Sequence, residues 1–286
     1  MRKSTGIETI LVKDANVIGV VTEAGEVIQA PIVVSAINPR TTVVQLLDGL
    51  PEWVELQAKI AKRSMRGKGF KLVLALDALP EWAAAGGDPQ LAREMAEIQF
   101  RIAPSIEHLE EAHSDMMLGR LPVNPIIWGL VPTLTSPSLA PKGKHLMSLN
   151  IGNAPYHLQS GNWQEARGRF AKQIIGTLTE WIPNLPDIIS DYICMDPEDI
   201  EREYGLVESN ITHGDALPWN QFWMRPLPGL HEYRTPTKGL YLSGVGTWPG
   251  NFVSGIPGHN ASQTVLEDLR REHVLLSTAH SGRTFE

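Results

Sequence analysis

The chain has 286 residues, 42% of them hydrophobic and 20% charged, with a formal net charge of −7 at pH 7. That length suits one large domain or two modest ones, and the acidic balance argues against nucleic acid as a partner. No run of about 18 apolar residues exists for a membrane-spanning helix, and a single cysteine, Cys194, excludes internal disulfides and thiolate metal sites. After the basic Met1-Arg-Lys only Ile10-Leu-Val12 is unbroken and apolar, too short for an export signal. A reducing, cytoplasmic setting is expected, with peripheral membrane contact left open.

In chain order, Ile7 to Lys13, Asn16 to Val21 and Glu26 to Ile28 read as short antiparallel strands joined by tight turns. Ala30 to Ile37 is a continuous apolar run, the pattern of a buried strand. Asn38-Pro39 ends it and starts a helix to about Leu47, with proline suited to the first helical position. Pro51 to Arg63 reads as a short helix and Phe70 to Asp77 as a strand. Asp88-Pro89 caps a helical region running to about Gly119, interrupted near Pro104. Pro125 to Val131 and His145 to Ile151 are strands. Asn162 to Ile182 is the clearest helix, with Phe170, Ile174, Leu178 and Trp181 at core spacing. Ile188 to Met195 is a strand holding Cys194 in an apolar run, which reads as a buried, unreactive thiol. Asp196 starts another helix as its cap. From Asn210 to Arg234 no period is visible. Aromatics, prolines and single charged groups in such a long loop point to function.

The stretch from Gly239 to Ala261 carries most of the information. A short apolar strand, Leu240-Tyr-Leu242, runs into a loop with Gly244, Gly246, Gly250, Gly255 and Gly258, and a helix of roughly Gly258 to Arg271 follows. That layout aims backbone N–H groups and a positive helix end at an anion or an electron-rich ring. The spacing Gly244-x-Gly246-x-x-Pro249-Gly250 departs from the dinucleotide pattern G-x-G-x-x-G, and no second parallel strand follows, only a polar tail. The loop therefore reads as the closing wall of a cofactor site. A glycine-rich turn without a ligand is the alternative.

Gly-Leu-Tyr-Leu-x-Gly-x-Gly-Thr-x-Pro-Gly from Gly239, then Val-Ser-Gly-x-Pro-Gly-x-Asn-Ala from Val253, closely resembles the C-terminal signature of phytoene-desaturase-like flavoproteins. Within them the nearest pattern is the branch called pyridine nucleotide-disulfide oxidoreductase domain-containing protein 2. Val33-Val-Ser-Ala-Ile-Asn-Pro39, Ser138 to His145, Asp199 to Gly205, Asn210-Ile-Thr-His-Gly214 and Arg225-Pro-Leu-Pro-Gly229 read as further blocks of that family, in its order. The resemblance implies a mixed α/β fold, the C-terminal portion of a two-domain FAD/NAD(P)-binding flavoprotein. An antiparallel-sheet substrate domain would span 48–235, and an incomplete Rossmann-type FAD-binding domain 1–47 and 236–275, with a flexible tail at 276–286.

The same resemblance implies FAD as cofactor, hydride transfer from a substrate C–H bond to flavin N5, and a small apolar substrate. The family's opening strand, GxGxxG and helix are not in this sequence. Half of the FAD site is thus expected from an N-terminal FAD-binding half, as a separate chain or encoded upstream. The implied cofactor residues are Gly244, Gly246, Gly250, Asn251, Phe252, Val253, Ser254 and Gly255. Gly244 and Gly246 would let the backbone near the ribityl–phosphate arm, and Val253 to Gly255 would lie beside the ring. The family usually has His-Pro-Gly-Gly-Gly where this chain has Trp248-Pro-Gly-Asn-Phe252. Side chains at Asn251 and Phe252 would narrow the substrate side or weaken flavin binding. His213, on the substrate side, and Trp248, in the place of the histidine, are the candidate catalytic positions; a structural histidine is the other reading of His213. Arg225 would hold flavin or substrate, or pair with an acid of its own loop. No Ser-His-Asp signature, HExxH, P-loop or metal-ligand cluster is present. A second reading is a non-catalytic scaffold that binds an apolar ligand.

Overall fold

The computed structural model describes residues 1–66, 69–250 and 253–281. The chain divides into two compact units, one of Met1–Met65 with Thr212–Glu286 and one of Arg66–Ile211. The first begins with β1 (Ile7–Lys13), β2 (Asn16–Thr22) and β3 (Val27–Gln29), an antiparallel sheet in sequence order. Asp14 and Ala15, both at positive φ, close the first hairpin in two residues. Next come β4 (Val33–Ser35), a wide helical turn at Thr41–Gln45, and α1 (Val54–Ala61). Asn38 Oδ1 accepts from Arg40 N at 2.9 Å and so opens the wide turn. Ile10, Val17, Val43, Leu47, Trp53 and Ile60 form this unit's core, and buried Trp53 Nε1 donates to Thr237 Oγ1 at 2.9 Å.

The second unit holds β5 (Gly69–Leu76), α2 (Pro89–Glu97), β6 (Phe100–Ile102), α3 (Ile106–Met117), β7 (Ile126–Leu130), β8 (His145–Gly152), α4 (Trp163–Thr179), α5 (Leu185–Ile188), β9 (Ile189–Met195) and α6 (Pro197–Tyr204). Its five strands make one antiparallel sheet in the order β6-β7-β8-β5-β9. Along β5 every second residue, Phe70, Leu72, Leu74 and Leu76, is buried, as the two-residue period of a strand requires. Trp163, Phe170, Ile174 and Leu178 of α4 join them in the core. Phe70 stacks on Trp163 (centroids 5.7 Å) and meets Phe170 edge-on (5.1 Å). Burying a side chain of this size stabilises by about 1.5–3 kcal/mol.

Three expectations fail in this unit. Trp181 is 41% exposed and not in the core, because α4 ends at Thr179 and the chain leaves the helical face. The helix expected from Asp88 to Gly119 breaks earlier: α2 stops at Glu97, and Phe100–Ile102 is a strand paired with β7, an override of local propensity by tertiary pairing. Cys194 is half-buried rather than fully buried, and burial pushes its thiol pKa up, which keeps it unreactive. The cap at Asp196 takes the expected form, with Asp199 N donating to Asp196 Oδ1 at 2.9 Å and Asp196 N donating to Asp199 Oδ2 at 3.4 Å.

The first unit closes with β10 (Leu240–Leu242) and α7 (Ile256–Ser281). Strand β10 lies parallel to β4, in the register Leu240 to Val33, Tyr241 to Val34 and Leu242 to Ser35. The run 30–37 is therefore a three-residue strand, and it is not buried: Val34 is 48% exposed and Ile37 46%. Among the described residues β10 is the only strand paired with β4. Helix α7 extends beyond the expected 258–271 at both ends.

Candidate functional site

The glycine-rich turn leaves the carboxyl end of β10, the end at which open α/β sheets bind ligands. Ser243 N donates to Ser35 O at 2.7 Å and carries the parallel pairing one step further. Gly244 then sits at φ 80° with its α-carbon so close to the chain after β4 that a Cβ would stand 2.5 Å from Ala36 O. A Cβ on Gly246 would overlap Pro39. Thr247 closes the turn, its N and Oγ1 both donating to Gly244 O at 3.1 and 2.8 Å. The glycines are thus needed for the turn to pass against the Ala36–Pro39 segment. The sequence reading assigned that freedom to a ligand and missed this packing role.

Arg225 holds the turn from beneath. It is fully buried. Its Nη2 donates to Val245 O at 2.9 Å and to Thr212 O, and its Nε to Val245 O at 3.3 Å. Gly250, at φ 59°, leaves room for it: a Cβ there would stand 2.5 Å from Arg225 Nε and 2.7 Å from Val245 O. Its hydrogen-bond partners are main-chain carbonyls of the turn and of the His213 loop. A second buried guanidinium, Arg63, donates to Pro226 O, and Ser64 Oγ donates to Asp215 Oδ2. Burial pulls both arginines down to about 10; Arg225 lowers Arg63 further, and the Asp215 carboxylate opposes the shift in each. Arg63, Ser64 and Asp215 were not singled out in the sequence, where only the neighbouring Asn-Ile-Thr-His-Gly block signalled them.

His213 is placed beside the turn, its Cβ 3.3 Å from where a Cβ on Gly246 would be. It holds a left-handed backbone (φ 53°), a conformation that costs a non-glycine residue on the order of 1 kcal/mol. Its Nδ1 is buried with no hydrogen-bond partner among the described residues, as is Asn38 Nδ2. Burial first, and then the charge of Arg225, lower the His213 pKa and keep the imidazole neutral. Trp248 is half-buried and fixed at both ends. Its carbonyl accepts from Tyr233 Oη at 2.5 Å, Asn260 Nδ2 of α7 donates to that same hydroxyl at 2.8 Å, and its ring packs on Phe222 at 4.6 Å between centroids. Phe222 and Tyr233 lie in the loop, and Asn260 in the signature, that the sequence singled out, but none of the three was given a site role. Val253 and Ser254 are exposed, with Ser254 Oγ accepting from Ile256 N at 3.3 Å at the start of α7. Asn251 and Phe252 lie outside the described residues. Among the described residues no group of three His, Cys, Asp or Glu side chains could hold a metal, and no helix is long and apolar enough to cross a membrane.

The mixed α/β fold is similar to that of an oxidoreductase from Methanosarcina mazei, which superposes with a TM-score of 0.50 at 14% identity, over 92% of this chain and 49% of its own. By sequence the chain is similar to phytoene-desaturase-like oxidoreductases. It is 30% identical over 264 residues to pyridine nucleotide-disulfide oxidoreductase domain-containing protein 2 of Rattus norvegicus, covering 90% of this chain and 45% of that protein. To a neurosporene-forming phytoene desaturase of Cereibacter sphaeroides it is 24% identical over 274 residues, 94% of this chain and 48% of that one. No family model matches. The chain spans about half the length of the curated relatives it matches.

Proposed function

We propose that the chain is the part of an FAD-dependent oxidoreductase, of dehydrogenase or desaturase type, that closes the flavin site and carries the substrate-binding domain. The observation that carries this reading is the glycine turn between the carboxyl end of β10 and the N-terminus of α7. FAD, when bound, supplies acceptance of a hydride from a substrate C–H bond. The residues present fit such a group: the turn is pre-shaped by Arg225, the buried Nδ1 of His213 and Nδ2 of Asn38 lack partners beside it, and α7 starts with a positive end. His213, neutral and uncommitted at Nδ1, is suited to accept or donate one hydrogen bond on the substrate side. Trp248 and Phe222 present an apolar wall suited to a small apolar substrate.

The ADP half of the cofactor is held, in this proposal, by an N-terminal FAD-binding half outside these 286 residues. Two observations support it: the chain spans about half of its relatives, and among the described residues no strand pairs with the other edge of β4. A relative from Castellaniella defragrans, 24% identical over 85% of this chain, is by its name one of the subunits of a limonene dehydrogenase. Co-expression with a Rossmann-type half from a relative, followed by flavin absorbance per mole of chain, tests the proposal. Bound flavin that requires the second half is expected. Stoichiometric FAD on this chain alone refutes the shared site, and no flavin with any partner refutes the cofactor. The second reading, a colourless scaffold for an apolar ligand, is favoured by exposed Trp223 beside the Phe222–Trp248 pair; that last outcome with apolar-ligand binding would support it.

A further inference from the structure

The sheet of the second unit packs one face against α4. On its other face, register aligns Met195, Lys71, Asn150, Trp128 and Arg101 in one row across all five strands. The next row is Ile193, Val73, Ser148 and Leu130. On this face Lys71, Asn150 and Ser148 form a polar centre, with Arg101 at the β6 edge, and that centre is unusual. Lys71 is half-buried, and its Nζ donates to Ser148 Oγ at 2.6 Å and to Asn150 Oδ1 at 3.1 Å. An ammonium has three protons to donate, so one is uncommitted. Both acceptors are neutral.

No carboxylate pairs with Lys71 among the described residues. The five strands contain one acid, Asp191, which register puts on this face opposite Ala75. It stands four residues along the sheet from Lys71, roughly 13 Å away at strand rise. Burial lowers the Lys71 pKa, with no acidic neighbour acting against it. A half-desolvated cation without a counter-ion is an uncompensated cost in the free protein. An anion arriving there removes that cost.

We infer that this face binds a small amphiphilic carboxylate, with its carboxylate on Lys71 and its apolar tail over Trp128, Val73 and Ile193. One free N–H on one lysine matches one carboxylate oxygen, whereas phosphate sites gather several donors. Trp128 and Val73 are half-buried and Ile193 is 65% exposed, so apolar surface stands ready on both sides of the cation. The binding itself does not require flavin. Its role rests on the oxidoreductase reading: if that reading holds, the substrate is an apolar acid, anchored by its charged end.

Octanoate and octan-1-ol, equal in chain length, are the probes, titrated by calorimetry into the full chain. Octanoate is expected to bind about tenfold more tightly, the worth of one charge-assisted hydrogen bond. Lys71→Met should abolish that preference and leave octanol binding unchanged, and Lys71→Arg should retain it. Added salt should weaken octanoate alone in the wild-type chain, a readout that needs no variant. Equal affinity for the two probes, or an octanoate preference that survives in Lys71→Met, overturns the assignment. Flavin content is read separately by absorbance, so failure of the carboxylate site and failure of the flavin reading are distinguishable.

Discussion

Replacing Arg225 with methionine removes a buried side chain that ties the glycine turn to the His213 loop. Its well-made bonds go to Val245 O and Thr212 O, both beneath a buried guanidinium. A buried carbonyl left without its donor costs about 1–3 kcal/mol, and these two are part-buried, so together they cost at the lower end, roughly 2–4. Part of that is offset, because the wild-type guanidinium is itself desolvated by burial, as its depression to about 10 records. A net loss on the order of 2 kcal/mol follows, or roughly 5 °C in the melting temperature of the unit that holds the turn. Thermal unfolding followed by tryptophan fluorescence measures it. Arg225→Lys should fall between, since an ammonium keeps the charge but cannot fork to two carbonyls. Wild-type or higher stability in Arg225→Met would refute the reasoning, because the buried charge would then cost more than its hydrogen bonds return.

Gly244→Ala should lose about 2 kcal/mol or more, since the new Cβ meets Ala36 O and φ stays positive; a melting curve equal to wild type would contradict this. Phe170→Ala, in the core of the second unit, should cost about 3–5 kcal/mol in denaturant unfolding. Asp196→Ala should cost about 1 kcal/mol through loss of the helix cap, and Asp196→Ser should recover most of it. For His213 the folded pKa is depressed, so the unfolded chain binds the proton first. Stability of the first unit should fall as pH drops from about 6.5 toward the folded value and level off below it. His213→Gln should remove that slope, and an unchanged pH profile in the variant would count against a buried neutral imidazole.

Strands with clean alternation, such as Gly69–Leu76, and helices with an explicit cap, such as the one after Asp196, were legible because local chemistry and tertiary structure agree there. Phe100–Ile102 was not, since a three-residue strand is made by its partner rather than by its own pattern. In the candidate site the glycines and His213 stood out by motif. Arg63, Ser64 and Asp215 did not, and the roles of Tyr233 and Asn260 did not, because their contribution is a contact with residues far along the chain. Arg225 was visible, but its partners are carbonyls, and a sequence carries no mark for which main-chain oxygen a guanidinium will reach.

The first unit is discontinuous: Met1–Met65 and Thr212–Glu286 flank the whole of Arg66–Ile211. On a ribosome adding about 5–20 residues per second, the opening segment waits on the order of ten seconds for the strand that completes it. Throughout that interval β4 has neither β10 nor the glycine turn against it, and Val34 and Ile37 are bare. The intervening unit, by contrast, emerges as one uninterrupted piece with its own sheet and core. Synthesis order therefore makes the glycine turn mature after the intervening unit, however early the strands it packs against emerge.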